Sequence, residues 1–148
     1  MNLNNLTIKS QEAIQQAQQI AQSFGHQQIE NEHIFKAVFP NTTNHYDTLF
    51  GGTALHMMDE ASFICATRFS RKKVVTVSTD KIDFTEPIPQ GTLVELIAKV
   101  VKVGNTSCVV QVDIFMENMY EEGRKKAVTG LFTFVAIDDD KNPVKMVD

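Results

Sequence analysis

GGTALHMMDEASFICATRFS, residues 51–70, is the stretch on which the reading of this chain turns. After the glycine pair, Thr53 to Ser70 holds good helix formers and no proline. Apolar residues fall on nearly every side of that helix: Leu55, Met57, Met58, Ala61, Phe63, Ile64, Cys65, Ala66 and Phe69. A helix that is apolar all round has no face to offer water, so another part of the chain must enclose it.

The residues downstream are suited to that task. Val74–Phe84 is β-branched and ends before Pro87 and Pro89, and Leu93–Val103 is a long apolar strand. Cys108, Val110, Val112, Ile114 and Met116 alternate with more polar neighbours, the period of a half-buried strand. Gly104-Asn105 joins these two strands as a tight hairpin turn. After the polar loop Asn118–Arg124, the run Ala127–Ile137 places Val128, Phe132, Phe134 and Ala136 on one face. Upstream, the β-like run Ile34–Phe39 stops at Pro40 and an Asn/Thr-rich loop, Asn41 to Thr48, follows. One strand, a helix, then four strands in meander-like succession give an α+β fold, an antiparallel sheet wrapped around one long central helix. Before it, Ile14, Ala17, Ala21 and Phe24 recur at helical spacing, with Thr7 or Ser10 as a cap and Gly25 as the stop, which predicts an extra N-terminal helix.

Composition narrows the function. With 148 residues, 43% of them hydrophobic, the chain can bury one core and carry a small appendage. Fourteen Lys and Arg against 18 Asp and Glu leave a net charge of −4, which argues against nucleic acid as a partner. Charges interrupt every apolar stretch before it reaches membrane-spanning length, and the Asn/Gln-rich N-terminus lacks the apolar core of a signal peptide. A soluble, cytoplasmic protein with no membrane partner is expected. Cys65 and Cys108 have no CxxC or Cys/His spacing, so neither a disulfide framework nor a metal site is expected.

Three groups of residues could carry chemistry. Asp59 and Glu60 interrupt the apolar helix, with His56 one turn earlier; a carboxylate among apolar neighbours is a stronger base than one in water, although a solvent-facing edge of the helix would also accommodate it. His56 has no second ligand at metal-binding spacing and reads as a packing or hydrogen-bonding residue. Gly51-Gly52 opens the helix, where N–H groups without helical partners can meet an oxyanion, though glycines also serve tight turns. Arg68, Arg71, Lys72 and Lys73 cluster at the helix C-terminus, where they complement the macrodipole or bind phosphate. Asp80, Asp83, Thr106 and Ser107 read as edge and turn polars.

Taken together, Phe39-Pro40-Asn41-Thr42-Thr43-Asn44-His45-Tyr46-Asp47-Thr48-Leu49-Phe50-Gly51-Gly52, Met58-Asp59-Glu60, Val74-Val75-Thr76-Val77-Ser78, Phe84 with Pro87, and Gly104-Asn105-Thr106-Ser107 resemble the hotdog-fold acyl-CoA thioesterases of the acyl-CoA hydrolase type. The resemblance runs from about Ile34 to Pro143. It implies the hotdog fold, hydrolysis of fatty acyl-CoA to free acid and coenzyme A, no cofactor beyond the coenzyme A of the substrate, and a homodimer with sites at its interface, extendable to a trimer of dimers. Asp59 matches the family's helix carboxylate, acting as general base or nucleophile. Gly51 matches the residue whose N–H polarises the thioester carbonyl, and Asn44 a polar loop residue near the reacting centre. Arg71, Lys72 and Lys73, with Ser78 and Asp80, would lie toward the nucleotide end of coenzyme A. Two departures stand out: many relatives have Gly at Asp47, and some have a catalytic Asp or Asn at Thr48. A non-catalytic acyl-CoA or peptide-binding module, recruiting a partner through its N-terminal helix, is the alternative.

Residues Asn2 to Ala37, with Leu6-Thr7-Ile8-Lys9-Ser10-Gln11-Glu12-Ala13, Gly25-His26-Gln27 and Glu32-His33-Ile34, resemble the opening helix of the N-terminal domain of ClpB-type disaggregase chaperones. Without that family's ATPase modules, this implies an appendage over residues 1–32 ahead of a thioesterase domain over 33–148. Gly51 and Asp59 stand eight residues apart, about 12 Å along a helix, too far to reach one carbonyl from a single chain. A site built from two protomers is therefore expected.

Overall fold

The computed structural model describes residues 14–16, which are helical, and residues 31–148. The rest of the expected N-terminal helix lies outside the described residues. Among these, β1 (Glu32–Ala37) leads through a 3-10 turn (Pro40–Thr42) and a short loop into α1 (Gly51–Ser70). Four long strands follow: β2 (Lys73–Phe84), β3 (Thr92–Val103), β4 (Ser107–Asn118) and β5 (Lys125–Ile137). They form one antiparallel sheet that packs on α1, the arrangement the hotdog resemblance implied.

The strand order, β1-β3-β4-β5-β2, corrects the expected simple meander. Only β3, β4 and β5 follow one another through hairpins; β2 pairs with β5, from Lys73 opposite Ile137 to Phe84 opposite Val128. The reason lies in residues 85–91. Pro87 and Pro89 cannot supply the N–H groups of a tight hairpin, and Leu49 N–H donates to the Ile88 carbonyl at 2.7 Å, so this linker is drawn across the end of α1 to the other side of the sheet.

Period-2 patterning fixes the inner face. Cys108, Val110, Val112 and Ile114 of β4 are wholly buried, as are Val94, Leu96 and Ala98 of β3 and Phe134 and Ala136 of β5. From the helix, Ala54, Met57, Met58, Ala61, Cys65 and Ala66 complete this core. The C-terminal segment adds Met146, whose side chain is fully buried and whose N–H donates to the Asn105 carbonyl at 2.8 Å.

The sheet covers only one side of α1. Leu55 remains 37% exposed and Phe63 45%, while β2, at the sheet edge, buries only Val74. Among the described residues, enclosure of a helix that is apolar all round is therefore half complete, and the unfilled half adjoins a strand paired on one edge only.

Candidate active site

The loop before α1 is built around Asn44. Its Oδ1 accepts the Tyr46 N–H at 2.9 Å, the Thr48 N–H at 3.3 Å and the Thr48 hydroxyl at 3.1 Å. Backbone N–H groups can only donate, so the side-chain oxygen must face them, and the Nδ2 amide is left as a donor with no partner among the described residues. The turn closes through the Asn44 N–H to Thr48 carbonyl bond of 2.8 Å. Asp47 sits at φ 57°, the left-handed region where glycine is favoured, which explains the glycine common at this position in the resembling family and how a short polar residue can replace it.

Phe50 then starts α1 without a side-chain cap. The first helical bond is Ala54 N–H to the Phe50 carbonyl, so the Gly51, Gly52 and Thr53 N–H groups have no acceptor among the described residues. The Phe84 ring stands beside Gly51, its nearest carbon 3.8 Å from where a Cβ would be.

Two turns on, Asp59 is half buried and accepts the Thr76 hydroxyl on Oδ1 at 2.9 Å. Thr76 is a site residue that reasoning on chemistry-bearing types missed, because a threonine in a β-branched strand looks like an ordinary strand former; only the packing of β2 on α1 reveals it. Glu60 belongs elsewhere. It lies on another face of the helix and pairs with Lys36 of β1 at 2.7 Å, and that lysine holds the Glu60 carboxyl below its usual range. His56 is exposed. No hydrogen bond joins Asn44 or Gly51 to Asp59 within the described residues of one chain.

The basic cluster is divided among acidic partners. Arg68 pairs with the largely buried Glu32 at 2.9 Å. Lys72 donates to the Lys145 carbonyl at 2.9 Å and to Asp148 at 2.7 Å, which pulls the Asp148 carboxyl below its ordinary value. Lys73 pairs with Asp139. Arg71 caps α1 in the left-handed conformation and faces solvent. Ser78 and Asp80 are exposed on β2, with Asp80 accepting the neighbouring Lys81 N–H at 2.8 Å.

Both cysteines are free and buried, and burial pushes each thiol up to about 12, the range of an inert side chain. Among the described residues no three His, Cys, Asp or Glu side chains gather as a metal site, and no helix is long and apolar enough to cross a membrane.

Residues 46–122 match the thioesterase superfamily, and residues 5–67 match the Clp repeat (R) N-terminal domain. The two matches overlap on residues 46–67, the end of the loop and all but the last three residues of α1, elements that here pack in the sheet-and-helix core. An uncharacterised acyl-CoA thioester hydrolase of Zymomonas mobilis is 40% identical over 107 residues, covering 72% of this chain and 72% of its own length. The uncharacterised acyl-CoA thioester hydrolase YkhA of Bacillus subtilis is also 40% identical, with 72% of this chain matched; the match spans 62% of YkhA, less than two thirds of that longer protein. Among solved structures, the Staphylococcus aureus acyl-CoA hydrolase in complex with butyryl coenzyme A and coenzyme A is 36% identical with a TM-score of 0.75, covering 78% of this chain and 70% of that one. A hexameric acyl-CoA thioesterase is 31% identical with a TM-score of 0.75, covering 78% and 74%. Variants of the S. aureus enzyme with an asparagine, an aspartate or a threonine changed to alanine are similar at 35% identity. The positions changed are separated by 15 and 17 residues, the separations of Asn44, Asp59 and Thr76 here.

Proposed function

From the premise that this chain belongs to the thioesterase superfamily, we propose that it hydrolyses acyl-CoA thioesters to a free acid and coenzyme A. The observation that carries this reading is the 2.9 Å hydrogen bond from Thr76 to Asp59, between two residues at the spacing of the aspartate and threonine altered in the S. aureus enzyme.

The chemistry asks for a base or nucleophile on one side of the carbonyl and hydrogen-bond donors on the other. Thr76 occupies one oxygen of Asp59 and leaves the second for the reaction. If Asp59 is the base, a water oxygen bonds to the thioester carbon and its proton passes to Asp59, then the C–S bond breaks and the leaving sulfur takes that proton from Asp59 to become the coenzyme A thiol. If Asp59 is the nucleophile, its own oxygen bonds to the thioester carbon, the C–S bond breaks to release the coenzyme A thiolate, and water then hydrolyses the acyl-enzyme anhydride to the free acid and the restored Asp59 carboxylate. In either route charge builds on the carbonyl oxygen, where the Gly51 N–H and the unpaired Asn44 amide can receive it.

Asp59 and Gly51 lie too far apart along α1 to serve one carbonyl, so the reading takes them from two protomers of a homodimer. Among the described residues, the half-open face of α1 and the unpaired edge of β2 support a second copy at this surface, and the hexameric relative supports assembly of three dimers. The nucleotide end of coenzyme A is assigned to Arg71, Lys72 and Lys73, with Ser78 and Asp80 beside them. Its phosphates would compete with Asp139 and Asp148, which hold Lys73 and Lys72 only at an exposed surface where such pairs are weak. No cofactor beyond the substrate enters the scheme, and two reduced, buried thiols suit the cytoplasm as its compartment.

Two measurements test the proposal. Purified chain should release free thiol from acyl-CoA; binding without turnover would leave a non-catalytic acyl-CoA module. Mixing Asp59→Asn chains with Gly51→Pro chains should restore part of the activity each lacks, because one site of a mixed dimer combines two unaltered halves. Absence of complementation in verified mixed dimers would remove the shared-site scheme.

A further inference from the structure

Arg71, Lys72 and Lys73 line one open hollow with Phe63, Thr67 and Val74, where α1 ends and β2 begins. Two of these cations are held by carboxylates of the segment that follows β5: Lys73 by Asp139, and Lys72 by Asp148 at 2.7 Å. We propose that Asp139 and Asp148 stand in for ligand phosphates, holding Lys73 and Lys72 until coenzyme A displaces them, and thereby set how tightly substrate and product are bound. The proposal rests on the assignment of the nucleotide end of coenzyme A to this cluster and adds the residues that tune its affinity.

The segment is fastened where it makes these contacts. Directly after β5, Asp138 closes a turn: its Oδ1 accepts the Asn142 N–H at 2.8 Å and its carbonyl the Lys141 N–H at 3.2 Å, with Lys141 at φ 66°. Asp139 lies in that turn. The chain then returns to the sheet, where Pro143 bridges to Ile137 and the Val144 N–H donates to the Ala136 carbonyl at 2.9 Å. Met146 is wholly buried, and its N–H donates to the Asn105 carbonyl at 2.8 Å. Lys145 and Asp148 stand on either side of this anchor, and Lys72 reaches both, donating to the Lys145 carbonyl at 2.9 Å as well as to Asp148. The two carboxylates themselves pack against nothing: their side chains are 87% and 94% exposed.

An isolated exposed ion pair contributes little, because two long side chains must be ordered to make it. Here the buried Met146 and the Asp138 turn have already ordered the backbone on which the acids sit. Each carboxylate therefore meets its lysine at the effective concentration of a short tether, on the order of millimolar or more. Lys72 also holds the Asp148 carboxyl below its ordinary value, so that pair is ionised at neutral pH. The charges of Lys72, Lys73, Asp139 and Asp148 cancel, and a phosphate gains the lysines only by releasing the aspartates. It can do so, since a phosphate monoester carries a charge of about −2 and three acceptor oxygens. Substrate and product share the same nucleotide end, so the competition weakens both alike.

The experiment compares coenzyme A affinity by calorimetry and the KM of butyryl-CoA by thiol release, in the full chain and in Asp139→Asn, Asp148→Asn and the double variant. Each single change should lower Kd and KM about twofold and the double about three- to tenfold, with the differences shrinking in about 0.5 M salt. Asp140→Asn removes the same charge one residue from Asp139 and should have a smaller effect than Asp139→Asn. The butyryl thioester of N-acetylcysteamine has the same reacting group and no phosphate, so its kcat/KM should be equal in all five chains. A Kd unmoved in the double variant, an Asp140→Asn effect as large as that of Asp139→Asn, or an equal gain with the phosphate-free thioester would overturn the proposal while leaving the thioesterase reading intact. Absence of coenzyme A binding to the unaltered chain would overturn both the cluster's assignment and the proposal. No thiol release from either thioester would overturn the thioesterase reading alone, because the calorimetric comparison still decides the displacement. If Asp139→Asn loosens its turn, Asp148→Asn decides by itself.

Discussion

Asn44 owes its orientation to a hydroxyl as well as to backbone, because Thr48 donates to it through both its N–H and its side chain. Where relatives of the resembling family place a reactive side chain at this position, Thr48 here acts through its neighbour. Thr48→Val keeps the shape and loses the bond, so kcat should fall about five- to tenfold with little change in KM, and Thr48→Ser should recover most of it. Asp59→Asn is the sharper change: on the proposed scheme turnover should fall by ~10²-fold or more with circular dichroism unchanged, since among the described residues the carboxylate is bonded only by Thr76. Retained turnover would move the catalytic carboxylate elsewhere. The sequence made Asp59 conspicuous as a charge in an apolar helix, but it gave Glu60 the same standing. A turn of about 100° per residue separates the two, sending Glu60 to Lys36 and Asp59 to Thr76, and that direction depends on how α1 is rolled against the sheet.

At the level of elements, α1, β2 and β5 meet at one glycine. A Cβ on Gly130 would come within 2.2 Å of Ile82 Cδ1 and 3.1 Å of Met58 Cε. Ile82 reaches inward here because β2 shifts register between Asp80 and Asp83, with Lys81 at φ 50°. Gly130→Ala should thus destabilise the fold by about 1–3 kcal/mol in denaturant titration, and Ile82→Val in the same chain should recover much of the loss. Strand patterning could reveal which face of β5 is buried; it could not reveal a bulge in its neighbour. The cysteines make a second prediction. Their thiols titrate near 12 in the fold and in the ordinary range once unfolded, so the native state keeps protons that the unfolded chain gives up. Their contribution is complete below the ordinary thiol range and is lost as pH rises through it toward 12, at ~1.4 kcal/mol per pH unit for each thiol. Replacing both Cys65 and Cys108 by Ala should flatten the alkaline arm of a stability–pH curve, whatever it does to stability at neutral pH.

Across the whole molecule, no residue assigned to the site precedes Asn44, so a chain lacking residues 1–30 is expected to keep its turnover and its oligomeric state. Loss of activity in a folded, still-assembled truncation would mean that the site draws on this segment. Fold class was readable from pattern alone, since five β-like runs and one apolar helix admit few architectures. Strand order was not, because it depends on where a proline-bearing linker is fastened. That order has a consequence for synthesis. On the ribosome, β2 emerges early and β5, its one partner among the described residues, nearly last, while β1 must wait for β3. Neither edge of the sheet can be paired until most of the chain has been translated, so a nascent chain stalled before Lys125 carries an apolar helix beside an orphan strand, a form prone to capture by chaperones or to aggregation.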